Sequence, residues 1–227
     1  SKSELVTQMI YGENFKIINK SLRWMKIKIK SDGYLGYIKK KKFNLFLKPT
    51  HKVSSLFANI YKSSNFNKKI GVLPYISKIK VNKKISKFAN FENKWIETKN
   101  IKPIKYKNKN PFKDIKKFQN IKYKWGGKTF DGIDCSALIQ VCLNFNNIFC
   151  PRDARDQVKY FKKNIKLNKI KKNDIIYWKG HVAVALNNKK LIHAYGPMKK
   201  TVIMGIHQTI RRINETANLK VIGIKRL

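Results

Sequence analysis

One cysteine stands where this chain could carry nucleophilic chemistry. Cys135 follows a glycine-containing turn and opens an apolar run with helical spacing. The apolar residues of that run are Ala137, Leu138, Val141, Cys142 and Phe145. A helix that starts here places the thiol near the positive end of the helix dipole, which favours the nucleophilic thiolate form. The alternative is a buried structural thiol without a chemical role.

Two histidines lie downstream in apolar, strand-like segments. His181 opens the run HVAVAL and His193 lies in KLIHAY, and Asn187 and Asn188 between them predict a turn. On adjacent antiparallel strands, His193 could hydrogen-bond His181 and fix its tautomer, which would leave His181 to act as general base. A satisfied core histidine is the alternative for His181. A cysteine at a helix start with histidines on later strands is the layout of a papain-like cysteine hydrolase.

The first hundred residues, which precede these positions, are predicted to be β-structure. Residues 1–48 contain five short strand-like runs with turn signals between them, among them the alternating stretch 24–30. Five short strands in so few residues predict a small closed barrel. Residues 49–104 have the same character, with a Trp-containing run at 88–101, and predict a second, diverged barrel. Residues 105–113, rich in Lys and Asn, read as a linker.

The C-terminal part of the chain changes in character. Helices are predicted at 134–145 and 153–161, with a short one at 114–119, and strands follow at DIIYW, HVAVAL, KKLIHAY, TVIM and KVIGI. Helices followed by an antiparallel strand series indicate an α+β domain. The predicted fold class is therefore α+β: a papain-like domain, with its helix packed on an antiparallel sheet, preceded by two small β-barrels.

Composition limits the classes of protein to which the chain can belong. With 227 residues, 42% of them hydrophobic, it can bury a core, and no run approaches the roughly 18–20 apolar residues of a membrane span. Cys135, Cys142 and Cys150 make neither a disulfide framework nor a zinc-ligand pattern, so no metal or other cofactor is predicted. An odd number of thiols suits a reducing compartment. A cytoplasmic location is predicted, and a periplasmic or secreted one, after removal of a leader, is the alternative.

The net charge of +40 has two interpretations. One is a polyanion partner such as nucleic acid or an acidic cell-wall polymer. The other is compositional drift, because the excess is nearly all lysine and accompanies abundant Asn and Ile, which A/T-rich codons favour. Only six arginines are present to supply the planar forks that read bases, so we expect no nucleic-acid partner.

A set of local sequences in a fixed order adds a family resemblance. The landmarks are Tyr123, Trp125, Gly126 and Gly127 in a YxWGG opening, then Asp134-Cys135-Ser136, His181 before Val182, and His193. Together they resemble the NlpC/p60 family of bacterial cell-wall cysteine peptidases. The segments QMIYGE and DGYLGY look like the bacterial SH3 modules that precede such domains. The resemblance implies SH3-like domains at 1–48 and 49–104 and a catalytic domain at 114–227.

The resemblance also implies roles for the residues around the thiol. Cys135, His181 and His193 would form a catalytic triad. Tyr123 would place its hydroxyl near the thiolate and the developing oxyanion, and simple packing is the alternative for this residue. Asp134 would cap the helix and help bind the free amine of the substrate. Ser136 would contact the glutamate carboxylate.

Further substrate contacts are implied at a greater distance along the chain. In one branch of the family, the first SH3 module captures a free N-terminal L-Ala through an acidic and a tyrosyl residue. Glu13, with Tyr34 or Tyr37, is the candidate here, and the alternative is a place on the barrel surface or in its core. Trp125, Arg152 and Asp153 would line the pocket, although the last two could instead lock their loop as an ion pair.

These implications predict a monomeric cysteine peptidase of cell-wall turnover or recycling. It would hydrolyse the γ-D-glutamyl bond to the diamino acid in peptidoglycan-derived peptides that carry a free N-terminal L-Ala. Two other classes stay open. A papain-like thiol amidase or acyltransferase would pass the acyl group to an amine or lipid, and a non-catalytic protein would only bind cell-wall polymer or nucleic acid. The presence of Cys135, His181 and His193 together argues against the non-catalytic class.

Overall fold

The computed structural model describes residues 4–65 and 68–227, which divide into two compact units. The N-terminal unit comprises Gln8–Lys107, and the C-terminal unit comprises Asn108–Leu227 together with residues 4–7. Residues 1–3 and 66–67, which fall inside the two predicted SH3-like domains, lie outside the described residues. Part of the predicted linker packs within the C-terminal unit, where the Asn108 N–H donates to Asn146 Oδ1 at 2.7 Å.

The first sheet of the N-terminal unit has three antiparallel strands, β1 (Phe15–Lys20), β2 (Trp24–Ile29) and β3 (Leu35–Lys39), in that order. The alternation predicted for β2 is confirmed, since its residues Met25, Ile27 and Ile29 are buried. The prediction of five strands before residue 48 is wrong, because residues 5–12 form no strand. The Ile10 N–H is instead bonded to the Glu13 carboxylate at 2.7 Å, which turns the backbone into a loop.

Eight further strands build the rest of the N-terminal unit. They are β4 (His51–Val53), β5 (Phe57–Tyr61), β6 (Lys69–Pro74), β7 (Lys78–Ile79), β8 (Lys83–Ile85), β9 (Phe88–Phe91), β10 (Lys94–Glu97) and β11 (Ile101–Pro103). One sheet has the order β6-β5-β10-β9-β8 and the other the order β11-β4-β7. Val53, Ala58, Phe91 and Ile96 belong to the core that they share. The two closed barrels stay predictions.

The run 88–101, which looks like one segment in the sequence, begins with a tight hairpin. Glu92 and Asn93 join β9 to β10, and their φ angles of 46° and 58° are both positive. Two positive φ angles are the backbone of a type I′ turn, which usually contains Asn and Gly. Because glutamate holds the first turn position here, the sequence carries only a weak signal for this hairpin.

The C-terminal unit is built around a six-stranded antiparallel sheet. Its strands and those of a small hairpin before it are β12 (Lys128–Thr129), β13 (Gly132–Ile133), β14 (Lys163–Asn164), β15 (Ile175–Trp178), β16 (His181–Ala185), β17 (Lys190–Tyr195), β18 (Lys200–Gly205) and β19 (Val221–Arg226). The order of the large sheet is β14-β19-β15-β16-β17-β18. The α+β architecture of this unit and all five predicted strands in it are confirmed.

Three α-helices accompany this sheet: α1 (Cys135–Phe145), α2 (Ala154–Tyr160) and α3 (Ile206–Ala217). Helix α1 lies against β16 and β17 and is buried nearly all round, as its apolar composition predicts. The short helix predicted at 114–119 is a single 3-10 turn, Ile115–Phe118.

Helix α3 is absent from the sequence-based prediction. Its buried residues Ile206 and Ile213 are seven positions apart and belong to one apolar cluster with Ala183 and Leu191 of the sheet. This spacing is the helical signal that could have identified it. The stretch between two strand-like runs is otherwise polar, with Arg, Asn, Gln and Glu, which obscures the narrow apolar stripe.

A close backbone approach fixes the N-terminal residues to the turn that precedes α1. Gly126 has a φ of +72°, and a Cβ at this position would lie 2.2 Å from the Leu5 carbonyl oxygen. Gly180 has a similar φ of +75°, but a Cβ there would meet no atom within 4 Å. Gly126 is therefore required both by its backbone conformation and by the space available, whereas Gly180 is required by its backbone conformation alone.

We expect Gly126→Ala to lower the free energy of unfolding by about 2–4 kcal/mol, because a left-handed backbone and a steric overlap both penalise alanine. Gly180→Ala, the matched control, should lose only about 1–2 kcal/mol from the backbone conformation. Urea unfolding of both variants measures the difference. Equal losses of stability in the two variants would show that the nearby Leu5 carbonyl does not require a glycine at position 126.

Candidate active site

The side chain of Asp134 determines where α1 begins. Asp134 has extended backbone angles of φ −96° and ψ 174°, and its carboxylate accepts the Ala137 N–H at 2.8 Å. This is the geometry of a helix N-cap. Cys135 is therefore the first residue of α1, as predicted, and its side chain is buried.

The Cys135 sulfur is close to two backbone N–H groups. Those of Ser136, in the same helical turn, and of Val182, in β16, both hydrogen-bond the sulfur and favour its thiolate. Burial nevertheless raises the pKa of the Cys135 thiol to about 12, and the negative charge of Asp134 adds to this rise. The predicted stabilisation of the thiolate at the helix start is thus present but outweighed, and the cysteine is a neutral thiol near pH 7.

The two histidines lie on adjacent strands, as their spacing predicts. His181 is the first residue of β16, His193 lies in β17, and Asn187 and Asn188 are in the turn between these strands. Nε2 of His181 is 2.8 Å from Nδ1 of His193, a hydrogen-bond distance. This bond leaves Nδ1 of His181 as the other basic atom of that ring.

Both imidazoles are held in their neutral form. Burial lowers the pKa of His181 to about 4. Burial, and then the neighbouring charge of His181, lower the pKa of His193 to about 2. Near pH 7 these shifts favour a neutral thiol and two neutral imidazoles in the site.

Aromatic rings enclose this histidine pair, and we did not predict them as part of the site. Trp178 is the cross-strand partner of His181, with ring centroids 5.6 Å apart. Tyr195 stacks on His193 at 4.6 Å with an interplanar angle of 12°. The period-two alternation of β17 places His193 and Tyr195 on one face, which is the signal that could have identified the tyrosine.

A buried ionic network lies next to the cysteine. Arg152 pairs with Asp134 through two hydrogen bonds, Nη1 to Oδ1 at 3.0 Å and Nη2 to Oδ2 at 2.5 Å. The same guanidinium donates to the Ser136 hydroxyl at 2.9 Å and, through Nε, to the Thr7 hydroxyl at 2.9 Å. Asp134, Arg152 and Ser136 are all buried, so the network is shielded from solvent.

Four residues donate hydrogen bonds to the Asp134 carboxylate in the described part of the chain. Besides Arg152 and the Ala137 N–H, it accepts the Gly126 N–H at 2.9 Å and the Ser136 hydroxyl at 3.2 Å. The structure thus identifies Asp134 as a cap and ion-pair partner, and Ser136 as a member of the same network. Their predicted contacts with substrate stay predictions.

The other residues predicted from the YxWGG opening and the later loop lie in the same unit. Burial raises the pKa of Tyr123, and a thiolate at Cys135 would raise it further, so the hydroxyl remains protonated. Trp125 is 57% exposed, as a residue that contacts a ligand can be. Asp153 precedes α2 without capping it through its side chain, and burial raises its pKa although Arg152 opposes this.

Three predicted substrate residues belong to the N-terminal unit. Both oxygens of Glu13 accept hydrogen bonds, from the Ile10 N–H and, at 3.1 Å, from the Ser31 hydroxyl. Tyr34 packs against the apolar cluster of β2, and Tyr37 is 67% exposed on β3. Their roles in binding a substrate stay predictions.

The described residues contain neither a group of metal ligands nor a membrane-spanning helix. Within 4–65 and 68–227, no group of three or more His, Cys, Asp or Glu side chains is arranged to hold a metal ion. Over the same part of the chain, no helix is long and apolar enough to cross a bilayer.

Removing Arg152 should destabilise the C-terminal unit strongly. We expect Arg152→Ala to cost about 3–5 kcal/mol, because it leaves the Asp134 carboxylate buried without its counter-charge. Arg155→Ala is the matched control, since this arginine is 78% exposed and lies 3.9 Å from Asp153, and it should change stability by about 0.5 kcal/mol or less. Thermal unfolding compares the two. Similar losses would contradict a structural role for the buried pair.

The neutral histidines predict a loss of stability in mild acid. In the folded protein the pKa values of His181 and His193 both lie below 6.5. As the pH falls from about 6.5 towards 4, the unfolded chain therefore binds more protons than the folded chain does. Each histidine contributes stability that is complete above 6.5 and declines by up to about 1.4 kcal/mol per pH unit below it. Urea unfolding from pH 7.5 to 5 should show a shallower decline in His193→Gln. An unchanged slope would contradict the prediction.

Two parts of the chain are similar to known protein families. Residues 120–216, which contain the cysteine and both histidines, match the NlpC/P60 family. Residues 1–43 match the bacterial dipeptidyl-peptidase SH3 domain. The two matches confirm the resemblance that the sequence landmarks suggested.

Two curated relatives are similar to different extents of the chain. Dipeptidyl-peptidase 6 of Lysinibacillus sphaericus is 38% identical over 72 residues, which are 32% of this chain and 27% of that protein. The gamma-D-glutamyl-L-lysine dipeptidyl-peptidase of Bacillus subtilis strain 168 is 28% identical over an alignment covering 90% of this chain and 77% of that protein. The alignment with the first relative thus spans only about a quarter of its length.

A solved structure shows the same fold along nearly the whole chain. The crystal structure of an NlpC/P60 family protein from Bacillus cereus ATCC 10987 superimposes with a TM-score of 0.80 at 19% identity. The match covers 97% of this chain and 81% of that one. The chain described here is therefore similar to the NlpC/P60 family over residues 120–216 and to the bacterial dipeptidyl-peptidase SH3 domain over residues 1–43, and it shares its fold with a solved NlpC/P60 family protein.

Proposed function

We propose that this protein is a cysteine peptidase that cuts the γ-D-glutamyl bond to a diamino acid. Its substrates would be peptidoglycan-derived peptides with a free N-terminal L-Ala. The proposal is carried by the position of Cys135 at the start of a capped helix, where its sulfur bonds the N–H of Val182. Val182 directly follows His181, which is hydrogen-bonded to His193. The names of the two dipeptidyl-peptidase relatives support the substrate class.

The first chemical step follows from the neutral resting state of the site. As the Cys135 sulfur forms a bond to the substrate carbonyl carbon, its proton passes to Nδ1 of His181. The carbonyl oxygen becomes an oxyanion, and the Tyr123 hydroxyl donates to it, since that group stays protonated. Coupling the proton transfer to attack avoids a free thiolate, which burial makes costly.

The second step uses the same proton. The imidazolium of His181 gives the proton to the amine nitrogen of the diamino acid, the C–N bond breaks, and a thioester to Cys135 remains. Water then loses a proton to Nδ1 of His181 and attacks the thioester, and the proton returns to the sulfur as the product acid leaves. Each cycle consumes one water molecule and restores the thiol and the neutral imidazole.

Recognition of the free amine is proposed for the N-terminal unit. Glu13 provides a carboxylate, and its bonds to the Ile10 N–H and the Ser31 hydroxyl hold that group in one orientation. Tyr37 offers an exposed phenol in the same unit. We also propose a reducing compartment such as the cytoplasm, because none of the three cysteines forms a disulfide.

The tripeptide L-Ala-γ-D-Glu-diamino acid tests this function directly. Mass spectrometry should detect cleavage of the free tripeptide at the γ-glutamyl bond and much slower cleavage of its N-acetylated form. Cys135→Ala should lower kcat/KM by on the order of 10⁴-fold or more. Cys142→Ala, which removes another buried cysteine of α1, is the matched control and should retain turnover when folded.

The possible outcomes separate the parts of the proposal. No cleavage of the free tripeptide would overturn the proposed function. Equal cleavage of the free and acetylated forms would retain the peptidase but remove amine capture by Glu13. If Cys135→Ala cut the tripeptide at the rate of the unchanged protein, Cys135 would not be the nucleophile.

A further inference from the structure

The hydrogen-bond partner of the buried histidine extends the site by one residue. Nε2 of His193 lies 3.4 Å from Sδ of Met204 in the neighbouring strand β18. His193 is fully buried, with 0% of its surface exposed, so bulk water does not reach this nitrogen. The Met204 thioether is therefore its hydrogen-bonding neighbour.

Strand register explains why Met204 reaches the ring. In the antiparallel pair of β17 and β18, His193 is directly opposite Val202, and Met204 lies two residues further along. Residues two apart on a strand share a face, so Met204 is a diagonal neighbour of His193. A methionine side chain is long and flexible enough to span that diagonal.

A thioether constrains the proton on the facing ring nitrogen. Methionine sulfur has lone pairs but no hydrogen, so it can only accept a hydrogen bond. Nε2 of His193 must then carry the proton, and Nδ1 of the same neutral ring must be the acceptor. Since that Nδ1 is 2.8 Å from Nε2 of His181, the latter must be protonated and donate.

We propose that Met204 is a positioning residue that sets the tautomers of both histidines. With its Nε2 protonated, neutral His181 keeps its lone pair on Nδ1, the atom that the proposed function uses to take the proton from Cys135. The reverse tautomers would protonate that Nδ1 and block the transfer. The catalytic consequence rests on the proposed peptidase function, whereas the tautomers themselves do not.

The stacked Tyr195 ring contributes to the same arrangement. Its interplanar angle of 12° with His193 holds the imidazole plane, so the ring cannot easily rotate to exchange its two nitrogens. The fixed ring plane and the Met204 acceptor together select one tautomer and one orientation of the His193 imidazole. Tyr195 also lies beside His181, with ring centroids 5.6 Å apart, whereas Met204 acts through His193.

Imidazole ¹⁵N chemical shifts of the full chain, labelled at histidine and recorded near pH 7.5, test the proposal. In the unchanged protein, Nε2 of both His181 and His193 should be protonated and both Nδ1 atoms unprotonated. Met204→Leu removes the acceptor at similar volume, and both rings should then populate the opposite tautomers. The kcat for the free tripeptide should fall about tenfold with little change in KM.

Two further variants make the test specific. Met204→Gln places a carbonyl acceptor at this position and should restore both the tautomers and most of kcat. Met25→Leu, at a buried methionine in the core of the N-terminal unit, should change neither. Failure of Met204→Leu to fold would leave the shifts of the unchanged protein and of Met204→Gln as the deciding measurements.

The outcomes distinguish this inference from the proposed function. A protonated Nδ1 on His181 in the unchanged protein, or unaltered tautomers in folded Met204→Leu, would overturn the role of Met204 even if the tripeptide is cut. The expected tautomers in a protein that does not cut the tripeptide would retain the role of Met204 and overturn the peptidase function.

Discussion

The Asp134 carboxylate is the group on which the rest of the site depends. It caps α1 through the Ala137 N–H, holds the preceding turn through the Gly126 N–H, and pairs with the buried Arg152. These bonds fix where the helix begins and therefore where the Cys135 sulfur lies. A buried carboxylate is tolerated only because each oxygen has more than one donor, so the residues that supply the donors are coupled to the position of Cys135, the proposed nucleophile.

The same low-polarity surroundings explain the protonation states of the reacting groups. Burial raises the pKa of Cys135 and lowers those of His181 and His193, which favours the neutral form of each of these proposed catalytic groups. Neutral His181 and His193 can pass a proton along only if each imidazole carries its own proton on the correct nitrogen. In the proposed mechanism, the Cys135 thiol donates its proton at one end of this relay and the Met204 thioether accepts a hydrogen bond at the other.

Much of the C-terminal unit could be predicted from local sequence. The alternation in β16 and β17, the Asn187 and Asn188 turn, and the apolar spacing of α1 each depend on neighbouring residues only, and each prediction is confirmed. Where a signal was weak or misleading, the prediction failed. The apolar stripe of α3 is narrow, the turn at Glu92 lacks glycine, and residues 5–12 look like a strand although Glu13 turns their backbone.

For this protein the sequence alone determined the types and order of the proposed reacting residues and the elements that carry them. A thiol at a helix start and two histidines on consecutive strands follow from spacing, because helix and hairpin geometry repeat over a few residues. The tertiary structure decided the partners of those residues. That Arg152 meets Asp134, that Met204 meets His193, and that burial outweighs the helix dipole at Cys135 all depend on segments brought together from distant parts of the chain. Burial and long-range contact set the energies of charged and protonated forms, and no local pattern encodes them.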